Sequence, residues 1–319
     1  MCRQVLSSQP DIEVVGEAPD PYVARDLIVA TRPDVVTLDI EMPRMDGITF
    51  LKKLMKFHPL PVIILSTLTT KGGEVALEAM SAGAVEVICK PSNELSLSDM
   101  ADELVQAVRA AAQSRHRAAQ PMGPLGQRPV ARSHQLIALG ASTGGTVAIE
   151  AILQALPPDT PGLVMVQHMP AFFTKSFAGR LARLSKMRVR EAKDGDVVEA
   201  GLALLAPGDR QMVVRRAGGG HVVGVVDGPK VSGHRPSVDV LFRSVAKAAG
   251  NAALGVILTG MGADGAQGLL EMRQAGAHTL GQDAESSVVY GMPKVAWELG
   301  GVEAQVSLEL MARRIVAGF

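Results

Sequence analysis

The chain has 319 residues, 32 Lys and Arg against 32 Asp and Glu, and 47% hydrophobic residues with only 3% aromatics. The length suits two domains, each large enough to bury a core unaided, and the balanced charge leaves no footprint for a nucleic-acid partner. Two cysteines make neither a disulfide framework nor a metal cluster, and no apolar run reaches bilayer length, so the expectation is a cytoplasmic protein with no direct membrane insertion.

Strand and helix patterns alternate from the start. Asp34–Asp39, Pro61–Ser66 and Val85–Cys89 read as buried aliphatic strands, and Gly47–Leu54 and Glu74–Met80 carry helical spacing between them. Repeated βα units imply a parallel sheet covered by helices on both faces. Residues 110–133, rich in Pro, Gly and Gln, read as a linker, which divides the chain into domains at 1–109 and 134–319.

The second domain repeats the α/β theme. Strands are predicted at 135–140, 162–167 and 254–259, each followed by a helix, at 145–156, 171–185 and 265–275. Between them, Gly201–Gly208, Met212–Arg215 and Val222–Val226 read as short hairpin strands joined by Gly-rich turns.

In a parallel sheet, chemistry sits at the C-terminal ends of the strands. One end carries Gly140-Ala141-Ser142-Thr143-Gly144-Gly145, a tight turn that presents a hydroxyl beside free helix N–H groups. The next strand ends in His168, and a third runs into Gly260-Met261-Gly262-Ala263-Asp264. A histidine can take the serine proton and a carboxylate can orient the imidazole, provided the three groups come within hydrogen-bond reach. Each residue alone has a plain explanation, a helix cap or a turn; three of them at three strand ends are a more specific signal. Gly140-x-Ser142-x-Gly144 also fits the nucleophile elbow of α/β-hydrolases, but their order is Ser, acid, His, whereas here it is Ser142, His168, Asp264. A dinucleotide site lacks Gly-x-Gly-x-x-Gly and finds His168 where a ribose-binding acid belongs.

Together with Gln167-His168-Met169-Pro170, Gly233-His234-Arg235-Pro236-Ser237-Val238-Asp239, Gln282–Ser286 and Gly291-Met292-Pro293, these motifs resemble the chemotaxis protein-glutamate methylesterases across the whole second domain. The resemblance implies Ser142 as nucleophile, His168 as base, Asp264 as orienting acid, and an oxyanion site near Thr143 and the Met261 backbone. It implies hydrolysis of glutamate methyl esters on methyl-accepting chemoreceptors, with deamidation of receptor glutamines in some members, and no cofactor for catalysis. Gly233–Asp239 shows no clear chemistry of its own: His234 and Arg235 are open between substrate contact and surface turn.

In the first domain, Asp39, Ser66 and Lys90 stand at adjacent strand ends, as acceptor, hydroxyl and cation of a phosphoryl site. They resemble a response-regulator receiver, with Asp39 phosphorylated by a chemotaxis histidine kinase and phosphorylation uncovering the esterase site. The implied fold is two doubly wound parallel-sheet α/β domains, a flavodoxin-like receiver and a Rossmann-like esterase with a β-hairpin insertion. Receivers open with a strand ending in an acidic pair that holds Mg²⁺; Met1–Leu6 aligns instead with the first helix, so that pair has no counterpart here. The expectation is a recorded start that falls too late, and the competing function is a non-catalytic signalling adaptor.

Overall fold

The computed structural model describes residues 2–67, 70–90, 97–114 and 135–317, with side chains except at 70–72 and 97–99. The chain divides into two compact units, Met1–Ala118 and Ala119–Phe319.

The first unit runs α1 (Cys2–Ser7), α2 (Pro21–Thr31), β1 (Val36–Asp39), α3 (Gly47–Phe57), β2 (Val62–Ser66), α4 (Thr70–Ser81), β3 (Glu86–Cys89) and α5 (Leu97–Gln113). Its strands pair in parallel in the order β1-β2-β3, and β2 is buried along its whole length. Among the described residues β1 has a ladder on one side only, and Val36 and Thr37 are half-buried. Asp20 starts α2 by accepting from the N–H groups of Tyr22 and Val23, and Asp46 starts α3 by accepting from Thr49. Helix α5 carries fully buried Ala110 and Ala111 on to Gln113, so the first residues of the predicted linker are helix. Alanines at helical spacing pack like any other small apolar residue, and the shift to Pro and Gly comes only later. Residues 115–133 of that segment lie outside the described residues.

The second unit is built on seven parallel strands. They are β4 (Leu136–Ala141), β5 (Gly162–Gln167), β6 (Arg188–Glu191), β8 (Leu202–Leu205), β11 (Ala253–Ile257), β12 (His278–Gln282) and β13 (Ala304–Val306), in the order β13-β12-β11-β4-β5-β8-β6. A smaller antiparallel sheet holds β7 (Val197–Val198), β9 (Gln211–Ala217) and β10 (Gly220–Val226). The helices are α6 (Gly145–Ala155), α7 (Ala171–Leu184), α8 (Val238–Ala249), α9 (Ala266–Gln274), α10 (Met292–Glu298) and α11 (Leu308–Ala317). With so few aromatics, the core rests on aliphatic residues around Phe177 and Phe242.

The β9–β10 pair is the predicted hairpin insertion. Leu202–Leu205, predicted as another hairpin strand, is instead a buried strand of the main sheet between β5 and β6. A four-residue aliphatic run fits either setting, and only its burial on both faces decides. The chain builds outward from β4 through β5, then returns to the other side of β4 through β11. The strand order therefore reverses between β4 and β11, where open α/β sheets leave a crevice at their C-terminal edge. Among the described residues, no helix is long and apolar enough to cross a membrane.

Candidate active site

Backbone bonds bring three loops together at that crevice. Ser142 follows β4; its N–H donates to the Thr259 carbonyl beyond β11 at 3.0 Å, and its carbonyl accepts from Gly145 N–H at 2.7 Å, closing a tight turn into α6. The His168 N–H donates to the Ala141 carbonyl at 3.0 Å, which sets the end of β5 beside the serine turn. The end of β11 lies equally close: a Cβ on Gly260 would stand 2.7 Å from the Cβ of Ser142. Val238, the first residue of α8, fills the space behind β4, where a Cβ on Gly140 would fall 2.1 Å from its Cγ1.

Asp264 is 1% exposed and fully bonded. Its Oδ2 lies 2.8 Å from His168 Nε2 and accepts from Val238 N–H at 2.7 Å; its Oδ1 accepts from Ser237 Oγ at 2.7 Å and from Asp239 N–H at 3.0 Å. Burial alone would raise this carboxyl, but the hydrogen bonds from His168, Ser237 and Asp239 outweigh it and hold the group below its ordinary value. The N-terminus of α8 thus carries the carboxylate's charge. Asp239, in turn, reaches the first turn of α9 and accepts from Gly268 N–H at 2.7 Å. Each helix start is served by a carboxylate from the other's segment. Burial pushes the Asp239 carboxyl up, against the pull of that Gly268 N–H.

The Asp264 bond assigns the imidazole tautomer. With Nε2–H given to the carboxylate, Nδ1 carries the lone pair, and it is buried without a hydrogen-bond partner among the described residues. Of the three groups expected to form a chain, the structure therefore bonds His168 to Asp264 and leaves the Ser142 hydroxyl unbonded to the ring. Such contacts commonly tighten only when substrate is bound. A buried, unpaired nitrogen acceptor at this point is able to take up a proton.

Two residues near His168 complete the setting. Gln167, 2% exposed, donates through Nε2 to the Ser142 carbonyl at 2.9 Å and to the His168 carbonyl at 3.0 Å, so one amide clamps both turns. A Cβ on Gly145 would fall 2.2 Å from Gln167 Oε1, which is why the second glycine of the turn is required. His234 stacks on His168 with ring centroids 3.7 Å apart and planes 11° from parallel. Burial, with His168 alongside, pushes His234 down to about 4. The backbone N–H groups of Thr143 and Met261 make no hydrogen bond among the described residues, which leaves both free to donate. Arg235 is taken up by Asp209, with Nε 2.9 Å from Oδ1, and by the Gly228 carbonyl, so it ties loops together.

In the first unit, Lys90 Nζ meets Asp39 Oδ2 at 2.5 Å, and Asp39 Oδ1 accepts from Glu41 N–H at 3.0 Å. Ser66, predicted to share this site, is buried and turns its hydroxyl to the Thr67 carbonyl at 3.4 Å. Among the described residues no group of three or more acidic, His or Cys side chains is placed to hold a metal ion. Both Asp39 oxygens are engaged, one by Lys90 and the other by the Glu41 N–H.

Residues 137–315 match the model of the CheB methylesterase family. The chain belongs to that family. Residues 1–102 match the response regulator receiver domain. A protein-glutamate methylesterase/protein-glutamine glutaminase of Anaeromyxobacter dehalogenans is 57% identical over 98% of this chain and 90% of its own length. Another of the same description, from Pectobacterium atrosepticum, is 50% identical over 98% of this chain and 91% of its own length. Among solved structures, the CheB methylesterase catalytic domain of Thermotoga maritima is 34% identical, covers 58% of this chain and 98% of its own, and superposes with a TM-score of 0.56.

Within this CheB methylesterase, sequence reasoning placed Ser142, His168 and Asp264 at neighbouring strand ends and missed what surrounds them. Ser237, Val238 and Asp239 hold Asp264, and His234 covers His168. The signal was the Ser237–Asp239 start of an amphipathic helix, a helix cap whose partner is 25 to 27 residues away in sequence. Asp264 looked like a cap for the helix that follows it; it caps α8 instead.

Proposed function

We propose that this chain is a phosphorylation-regulated protein-glutamate methylesterase that also deamidates glutamines, acting on methyl-accepting chemoreceptors in the cytoplasm. Ser142 Oγ attacks the side-chain carbonyl carbon of a glutamate methyl ester while His168 Nδ1 takes the hydroxyl proton. The Thr143 and Met261 N–H groups receive the oxyanion, and Asp264 stabilises the imidazolium through Nε2. Collapse breaks the bond to the methoxy oxygen, which leaves as methanol with the proton from Nδ1. Water then gives a proton to Nδ1, attacks the acyl-serine, and releases the glutamate side chain as a carboxylic acid, which gives its proton to solvent, while Ser142 regains its proton from Nδ1. A glutamine side chain follows the same course with ammonia leaving, and the scheme balances with water alone, without a cofactor.

The observation that carries this reading is the His168–Asp264 bond, which leaves Nδ1 without a partner among the described residues, on a residue whose backbone N–H bonds the Ala141 carbonyl next to Ser142. Asp39 is the phosphoryl acceptor in the receiver, with Lys90 as its cation, Ser66 as supporting hydroxyl and a histidine kinase as donor. The test is methanol release from methylated receptor by the wild type and by Ser142→Ala. Complete loss in the variant is expected, and a variant as active as wild type sinks the reading.

A further inference from the structure

We infer that His234 is a positioning residue for the base, a π-face on which the His168 imidazolium rests while Ser142 is acylated and deacylated. The inference depends on His168 being the base, as proposed above.

The two rings lie nearly parallel with centroids 3.7 Å apart. Two neutral aromatic rings prefer an offset or edge-to-face arrangement, whereas a cation over a π-face is attracted to it. Direct stacking therefore favours the state in which one ring is charged, the state His168 enters when it takes the serine proton. His234 is itself kept neutral: burial first, and His168 second, push it down to about 4. The charged and titratable groups that act on it are His168, Asp264 and Lys230. Neither of its ring nitrogens has a hydrogen-bond partner among the described residues, so what the ring offers is its face. Its place is fixed by the main chain, through paired bonds of 2.9 and 3.0 Å between His234 and Val231. Asp264 holds one edge of the His168 imidazole and His234 its plane, and the two constraints together fix the ring.

The experiment measures methanol release against pH for the full chain and its His234→Leu, His234→Phe and Ser142→Ala variants, with methylated receptor as substrate. Leu fills the space without a π-face. His234→Leu is expected to lower kcat about five- to tenfold with KM within about twofold, and to move the acid limb of the profile down by roughly half a pH unit, because the imidazolium loses its support. His234→Phe is expected to restore both. Should His234→Leu melt below wild type, His234→Met makes the same comparison. A His234→Leu enzyme with wild-type kcat and acid limb overturns the inference, as does a His234→Phe enzyme as slow as His234→Leu. If those variants behave alike while Ser142→Ala is silent, only the role of His234 fails; if Ser142→Ala still releases methanol, the underlying reading fails first.

Discussion

Asp264 binds the His168 imidazole with the same oxygen that accepts the first N–H of α8, so one carboxylate both orients that ring and starts a helix. Asp264→Asn preserves the shape but sets an amide N–H₂ against donors that now meet an anion. It is expected to lower kcat for methanol release by roughly 10²–10⁴, from loss of the tautomer and of imidazolium stabilisation. It is also expected to lower unfolding free energy by about 1–3 kcal/mol, from unpaired donors at the start of α8. Activity within tenfold of wild type in the presence of a clear stability loss would assign Asp264 to the helix alone.

The Gln167 clamp separates position from chemistry in a different way. Gln167→Leu leaves the Ser142 and His168 carbonyls without the donor they share. The Ser142 carbonyl keeps its bond from Gly145 N–H, so the His168 carbonyl alone is left unpaired, and a stability loss of about 1–3 kcal/mol is expected in urea unfolding. The Ser142 and His168 turns also lose their tie, and kcat should fall at least about tenfold with KM nearly constant. An unchanged kcat would mean that the backbone bonds of the two turns suffice.

Acid sensitivity should trace to His234. Its value falls from 6.5 in the unfolded chain to about 4 in the fold. Between those limits the unfolded state holds a proton that the folded state does not, so stability rises with pH across the window and is lost on acidification from 6.5 to 4. His234→Phe removes that dependence, and the slope of unfolding free energy against pH should become shallower by up to about 1.4 kcal/mol per pH unit. Asp264 and Asp239 are present in both proteins and cancel in the comparison. Identical slopes would show that His234 titrates freely in the folded state.

The contrast between what was and was not legible follows from the range of each signal. Parallel strands declare themselves as aliphatic runs, and their C-terminal ends fall where Ser142, His168 and Asp264 stand, so local pattern was enough to assemble the triad's positions. Leu202–Leu205 failed because a short apolar run looks the same in a hairpin and in a central strand. His234 failed because nothing near it in sequence points to His168; the stack arises from the return of the chain at Val231–His234, a tertiary event. The absence of a Ser142–His168 bond among the described residues is likewise a tertiary detail that residue spacing does not encode.

The Asp39–Lys90 pair separates contact from stability. The two side chains meet at 2.5 Å, yet Lys90 is 29% and Asp39 36% exposed. Pairs so open to water repay little of the order they impose, about 0–1 kcal/mol. A double-mutant cycle with Asp39→Ala, Lys90→Ala and the pair of changes together is therefore expected to give a coupling below about 1 kcal/mol in urea unfolding at moderate salt, shrinking further as salt is raised. A small coupling means that the lysine is not held there to stabilise the sheet edge, which fits a cation kept for charge that arrives later on Asp39. A coupling above about 2 kcal/mol would make the pair a structural strut, and the reading of Lys90 as a phosphoryl-site cation would then rest on its position at the end of β3 alone.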